Sequence, residues 1–83
     1  MTEATLILNN FRYDIEDRTW YGYTHKFMVR EVEMRYFTNY KLYYGGYDIF
    51  LGDFTNEDLF LNKMKTYKIK ILRLEKLEKL KML

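Results

Sequence analysis

The feature that most constrains this chain is a Gly-Gly pair set between two aromatic and branched runs, Lys41-Leu42-Tyr43-Tyr44-Gly45-Gly46-Tyr47-Asp48-Ile49-Phe50. Glycine enters the left-handed region without steric cost, and adjacent glycines supply the two positive φ angles of a two-residue hairpin turn. Such a turn sets a register in which Tyr44 faces Tyr47 and Leu42 faces Ile49. Cross-strand pairs of this kind contribute roughly 0.2–1 kcal/mol each, enough to help hold a small sheet in one register. The expectation is an antiparallel sheet built around this hairpin.

Flanking segments fit the same architecture. Over Leu6–Tyr13 and just beyond, Ile7, Phe11, Tyr13 and Ile15 share odd parity, the period of a half-buried strand. Asp14-Ile15-Glu16-Asp17-Arg18 supplies turn chemistry, and Thr19–Glu33 alternates again with Tyr21, Tyr23, Phe27 and Val29 on one face. The two runs are expected to pair as a hairpin. Trp20, Thr24, Lys26, Met28 and Arg30 then fall on the other face, which periodicity leaves either solvated or facing a partner. Thr55 ahead of Asn56-Glu57-Asp58 has the form of a capped helix start with acids near the positive end of the dipole. A short helix is expected from Asn56 to about Lys65. Thr66–Leu74 alternates Tyr67, Ile69 and Ile71 with lysines and reads as a strand, although Met64, Tyr67, Ile71 and Leu74 also make a helical stripe. Glu75–Leu83 spaces Leu77 and Leu80 three apart and pairs Glu75 with Lys79, consistent with a short amphipathic helix or a frayed tail. The fold expected is α+β: a small antiparallel sheet of four or five strands, one short helix after Thr55 and a short amphipathic C-terminal segment, all in a single domain over residues 1–83.

Length sharpens this. At 83 residues there is room for one core, and a core this small gains from a disulfide, a metal or a second subunit. Cysteine is absent and His25 is the lone histidine, so neither a disulfide nor a zinc site is expected, and no cofactor is implied. Self-association into a homodimer is the support that remains. The first residues show no basic segment followed by an apolar run, and no stretch approaches the roughly 20 apolar residues of a membrane span. A cytoplasmic protein is expected, in the host cytoplasm if the gene is carried by a phage. Serine, glutamine, proline and cysteine are all missing while Lys, Asn, Ile, Tyr and Phe abound, a bias toward A/T-rich codons that suggests an A/T-rich bacterial or phage genome.

Several chemistries lack their parts. Without serine or cysteine, nucleophilic catalysis would require His25 to activate a threonine, so an enzyme is not expected. Asp14, Glu16 and Asp17 cluster in a turn where solvated acids are ordinary, and they lack the glycine and terminal glutamate of a calcium loop. Gly45-Gly46 is followed by no Gly-Lys-Ser/Thr and is not a phosphate loop.

Two features point instead to binding. Nine tyrosines, six phenylalanines and a tryptophan exceed what so small a core can enclose, so several phenols must reach the surface. About half of the cluster is expected to be core. The rest is expected to form a contact face, since tyrosine and tryptophan give large contact area with few rotamers to freeze. Charge is also divided: residues 1–62 hold six Lys/Arg and ten Asp/Glu, net −4, whereas residues 63–83 hold eight and two, net +6. The first reading is a protein-docking face made by Trp20, Tyr36, Tyr40, Tyr43, Tyr47 and Asp48, acidic enough to approach a basic groove. The alternative is single-stranded nucleic acid, with aromatics stacking bases and Lys68, Lys70 and Arg73 of a basic C-terminal strand contacting phosphates, as in small oligonucleotide-binding barrels. In size, lack of motifs and codon bias the chain resembles the small accessory proteins with which phages and mobile elements block host enzymes, anti-CRISPR proteins among them. The resemblance is one of composition and transfers no residue. It implies a host protein as partner, a nucleic-acid-handling enzyme or defence effector, and no membrane.

Overall fold

The computed structural model describes residues 1–22 and 26–81, with side chains through residue 80. Tyr23 and Thr24, each given a face by the alternation, lie outside the described residues, as do His25, Met82 and Leu83. The protein is α+β. Helix α1 (Glu3–Leu8) leads into five strands, β1 (Arg12–Asp14), β2 (Thr19–Gly22), β3 (Phe27–Glu33), β4 (Thr38–Tyr44) and β5 (Ile49–Phe54), and the chain closes with helix α2 (Glu57–Lys81). The strands form one antiparallel meander in sequence order. Among the described residues no helix is long and apolar enough to cross a membrane.

The backbone of the sheet is the β3–β4 pair, in register over seven residues from Phe27 opposite Tyr44 to Glu33 opposite Thr38. Paired residues share a face, and one face collects Phe27, Val29, Leu42 and Tyr40, joined by Trp20 opposite Val29. Those five side chains are buried with Leu6, Phe11 and Phe60 in a single cluster. Enclosing a side chain of this size contributes about 1.5–3 kcal/mol, so the cluster supplies most of the drive to fold.

Helix α2 closes the cluster from one side. Phe60 sets its ring 6.1 Å from Phe11 and 5.7 Å from Phe54, and further along Tyr67 lies 5.0 Å from Tyr44 and 6.2 Å from Phe27. These contacts overturn the strand expected over 66–74 and the helix end expected near Lys65. The stripe Phe60, Met64, Tyr67, Ile71, Leu74 has the 4-3-4-3 spacing of a helix face, and no glycine or proline interrupts residues 57–81. Alternation of Tyr67, Ile69 and Ile71 was incidental, because Ile69 points outward. The cap also moves by one residue: Asn56 Oδ1 accepts the Leu59 amide at 3.2 Å, with Glu57 and Asp58 in the first turn.

Two further expectations are corrected. Of the strand expected over Leu6–Tyr13, Leu6–Leu8 belong instead to α1 and only Arg12 and Tyr13 fall in β1; α1 buries Thr5 and Leu6, while Ile7, Tyr13 and Ile15 are exposed. Asn10, at φ 65°, ends α1 and swings the chain so that Phe11 alone of the odd-parity set enters the core. The hairpin pairing of the two N-terminal runs does form, between β1 and β2, but Thr19–Glu33 is two strands with the chain reversing between them. That reversal exchanges parity, so Trp20 joins Phe27 and Val29 while Tyr21 joins Met28 and Arg30. At the Gly-Gly pair the turn spans Gly45–Asp48, with Gly45, Gly46 and Tyr47 all at positive φ. Tyr44 pairs with Ile49, Tyr43 with Phe50 and Leu42 with Gly52, across a bulge. The tighter register fails because Tyr47 leaves the ladder to fold back onto the sheet.

Gly22 is the tightest point in the core. A Cβ there would lie 2.7 Å from the Phe11 ring, so β2 and the α1–β1 connection approach as closely as they do only because the side chain is absent. Gly22→Ala is expected to destabilise the protein by about 1–3 kcal/mol through displacement of Phe11, measured as a fall in the urea midpoint.

Candidate functional site

Because α1 and α2 both lie on the core side, the opposite face of the sheet carries no helix among the described residues. Register assigns its residues directly. Arg12, Tyr21, Met28, Tyr43 and Phe50 form one cross-strand row, and Arg30, Lys41 and Asp53 form the next. Aromatic rings dominate: Tyr43 is 5.0 Å from Tyr47, edge-on, and 5.3 Å from Phe50.

Tyr47 organises this face. Its hydroxyl lies 2.6 Å from Thr19 Oγ1, which donates its own hydrogen to the Asp17 carbonyl at 2.9 Å, so Tyr47 is the donor. The contact joins residues 28 apart, and Thr19 and Met28 are buried although no helix covers them. Tyr47 holds a left-handed φ of 72°, a conformation costing a non-glycine residue of order 1 kcal/mol that the hydroxyl bond and ring contact offset. Two cations complete the face, the Arg30 guanidinium 5.9 Å from the Tyr47 ring centre and the Lys41 ammonium 6.0 Å from that of Phe50.

Acids ring it. Asp14 Oδ1 accepts the amides of Glu16 and Asp17, an Asx turn that holds the β1–β2 acids in place. Asp17 in turn accepts the Tyr21 hydroxyl at 2.7 Å, and that bond is the main reason the Tyr21 phenol is pushed up to about 12. Asp48 is exposed beside Tyr47, and Asp53 is exposed opposite Lys41.

Of the six residues expected to form a protein-docking face, Tyr43, Tyr47 and Asp48 come together here. Trp20 and Tyr40 do not. Both are core residues, at 5% and 3% exposure, and neither belongs to the open face. Trp20 Nε1 donates to Glu31 Oε1 at 2.8 Å. Burial, more than the neighbouring Glu31 and Glu3, raises the Tyr40 phenol. Tyr36 stands apart in the β3–β4 turn, 84% exposed with the Arg35 guanidinium over its ring, at the far end of β4 from Tyr47. Tyr21, Arg30, Lys41 and Phe50 went unrecognised. Phe50 was legible from the hairpin run itself, whereas Tyr21 required knowing where β2 ends.

Lys68, Lys70 and Arg73 are exposed on α2, not on a strand. The sheet lies between that helix and the open-face rings, so no track of phosphate contacts runs beside stacked bases. Among the described residues no three His, Cys, Asp or Glu side chains are placed to hold a metal. No protein-family model matches the chain, and no curated protein or solved structure matches it either.

The Tyr21–Asp17 bond has a measurable signature. A raised phenol stabilises the fold below pH 10 and loses that contribution as pH rises through about 12, because the folded state holds the proton more tightly. Asp17→Asn is expected to bring the Tyr21 titration back toward 10, followed by the Cζ shift of its 13C-labelled ring.

Proposed function

We propose that this protein is a non-enzymatic binding module that docks another protein on the open face of its sheet. One observation carries the reading: Tyr43, Tyr47 and Phe50 pack into an exposed aromatic patch that no element among the described residues covers, with Phe50 more than half exposed. Rigid rings already braced by Thr19 lose little entropy on contact, which suits them as anchors. The chemistry around them favours protein over single-stranded nucleic acid. Tyr43 and Tyr47 meet at 75°, the edge of one ring against the face of the other, instead of offering parallel platforms to bases. Arg30 and Lys41 are occupied by rings of the same patch, and Asp14, Asp17, Asp48 and Asp53 would repel a phosphate backbone.

The partner this surface suits has an apolar hollow for Phe50 and basic groups for the acidic rim. Basic hollows are common on enzymes that hold nucleic acid. Together with the compositional likeness to phage and mobile-element accessory proteins, this leads to an inhibitor of a host nucleic-acid-handling or defence enzyme, acting by occupying the enzyme's own basic surface.

The test begins with affinity capture from the source cells by the tagged protein, followed by titration of whatever host protein is retained. Tyr43→Ala with Phe50→Ala should weaken that complex by roughly 2 kcal/mol or more, about thirtyfold, without altering the circular dichroism spectrum. Tyr36→Ala, at the other end of the sheet, should leave affinity unchanged. Tight binding of a labelled single-stranded oligonucleotide, weakening steeply with salt and lost in the same double variant, would overturn the protein reading in favour of nucleic acid.

A further inference from the structure

The charge division between body and C-terminal segment plays no part in the open face, and the fold gives it a geometry. Helix α2 is 25 residues long, about 37 Å at the usual rise, and outruns the sheet. It leaves the sheet near Glu75, whose carboxylate lies 3.8 Å from the Lys26 ammonium. Beyond Ile71 every described side chain is exposed, including Leu72, Leu74, Leu77 and Leu80, each more than half so. Four large apolar groups within nine residues amount to an uncovered patch, and Arg73, Lys76 and Lys79 alternate with them. Two such helix ends carry like net charge, since residues 72–81 hold Arg73, Lys76, Lys79 and Lys81 against Glu75 and Glu78, net +2. Their complement is acidic.

An acidic complement lies at the opposite pole of the same chain. Beside α1 a cleft of about 610 Å³ is lined by Met1, Glu3, Ala4, Phe37, Tyr40 and Thr55. Phe37 offers an exposed apolar wall. Glu31 pairs with Tyr40 across the β3–β4 ladder and Glu33 with Thr38, so three carboxylates gather around this end. Burial and the nearby Glu3 and Glu33 push the Glu31 carboxyl above its ordinary range, against the lowering effect of its bond from Trp20. The Met1 ammonium, also in the lining, is engaged by the Thr55 carbonyl at 2.9 Å. Thr55 lies two residues before α2, so the cleft lies where the helix starts and the leucines where it ends, along a molecule 53 Å in its longest dimension.

We propose that two copies of this chain form a two-fold dimer in which the free end of each α2 seats its leucines in the acid-rimmed cleft beside α1 of the other copy. Laid antiparallel, two molecules with opposite poles of opposite charge bring both contacts together at once, and the arrangement closes on itself. A single helix end in a single cleft falls short of the roughly 800 Å² per partner that a stable interface buries; two reciprocal contacts double the area. The dimer uses neither Tyr43, Tyr47 nor Phe50, so it stands or falls independently of the docking function.

Light scattering on the eluted protein, over roughly a hundredfold range of concentration and at low and high salt, reads the outcome. Dimer at low salt that dissociates at high salt is expected. Leu77→Ser with Leu80→Ser should weaken it at least tenfold, with an unchanged dichroism spectrum. The decisive pair is Lys76→Glu with Lys79→Glu on one chain and Glu3→Lys with Glu33→Lys on another. Each variant alone should be monomeric, whereas an equimolar mixture should form a heterodimer, because both tip-to-cleft contacts are then again of opposite charge. A wild-type protein monomeric at every concentration, a mixture that stays monomeric, or assembly beyond two copies would each overturn the proposal.

Discussion

A single helix can cover only one face of a five-stranded sheet, and the other features of this protein depend on where that helix is anchored. Phe60 is the anchor. It is fully buried, and its ring meets Phe11 from the α1–β1 connection and Phe54 from the last strand, so it ties both ends of the meander to α2. Once α2 is committed to that side, Trp20, Phe27, Val29, Tyr40 and Leu42 have an interior to enter. The residues of opposite parity have none. They must find another way to exclude water from Met28 and Thr19, and the β4–β5 turn supplies it by sending Tyr47 back over them. The aromatic patch on the open face is thus a small second core, held by one side chain from a turn and left exposed at its margin, where Phe50 and the two cations lie.

This explains which parts of the molecule were legible in its sequence. The α+β class, the antiparallel sheet, the glycine-centred turn and a helix capped near residue 55 all rest on short-range chemistry: positive φ at glycine, alternation in β3 and β4, acids in a first helical turn. What eluded the sequence depends on tertiary contacts. Residues 66–74 satisfy both the strand and the helix period, and only the ring contacts of Tyr67 with Phe27 and Tyr44 decide between them. The register at Gly45-Gly46 slipped because Tyr47 gains more from Thr19, 28 residues away, than from a place in the ladder. Likewise Trp20 reads as a residue of the face opposite Phe27 and Val29 because nothing local reveals that β2 stops at Gly22 and that β3 resumes with its parity reversed. Tyr43 and Tyr47 were found for a reason that held only in part: they are close in sequence, yet their rings meet through the bulged, four-residue turn and not as a cross-strand pair.

Charge is sorted by the same architecture. A helix whose first half packs on apolar residues needs cations only on its outer surface there, and Lys63, Lys65, Lys68 and Lys70 are all exposed. Beyond Ile71 every described side chain is exposed, with Glu75 near Lys26, yet leucine holds four of the nine positions 72–80. Helix length alone requires no such choice, since lysine and glutamate propagate a helix about as well as leucine does. Solvated lysines would serve solubility, and leucines exposed at more than half their surface serve contact. The apolar content of this end suits a covering surface, and its net charge of +2 over residues 72–81 favours an acidic one over an identical helix end. The acids around Glu3, Glu31 and Glu33 meet both conditions, with the Phe37 ring beside them as the apolar floor.

Placing the two contact surfaces on different parts of the molecule has a physical consequence. The open face needs rigid rings in a fixed register, which the seven-residue β3–β4 ladder and the Tyr47 strap provide. The end of α2 needs only to stay helical while its side chains adapt, which leucine and lysine on a continuous helix do at small entropic cost. If two copies join through helix end and cleft, each presents its aromatic face outward, and a dimer would offer two such faces to a partner instead of one. Engagement of both at once raises apparent affinity without any new contact, provided the partner's sites match the spacing that the two-fold axis sets. A partner with a single basic hollow gains nothing from the second face, so the dependence of capture on dimer formation would itself distinguish a one-site target from a symmetric one.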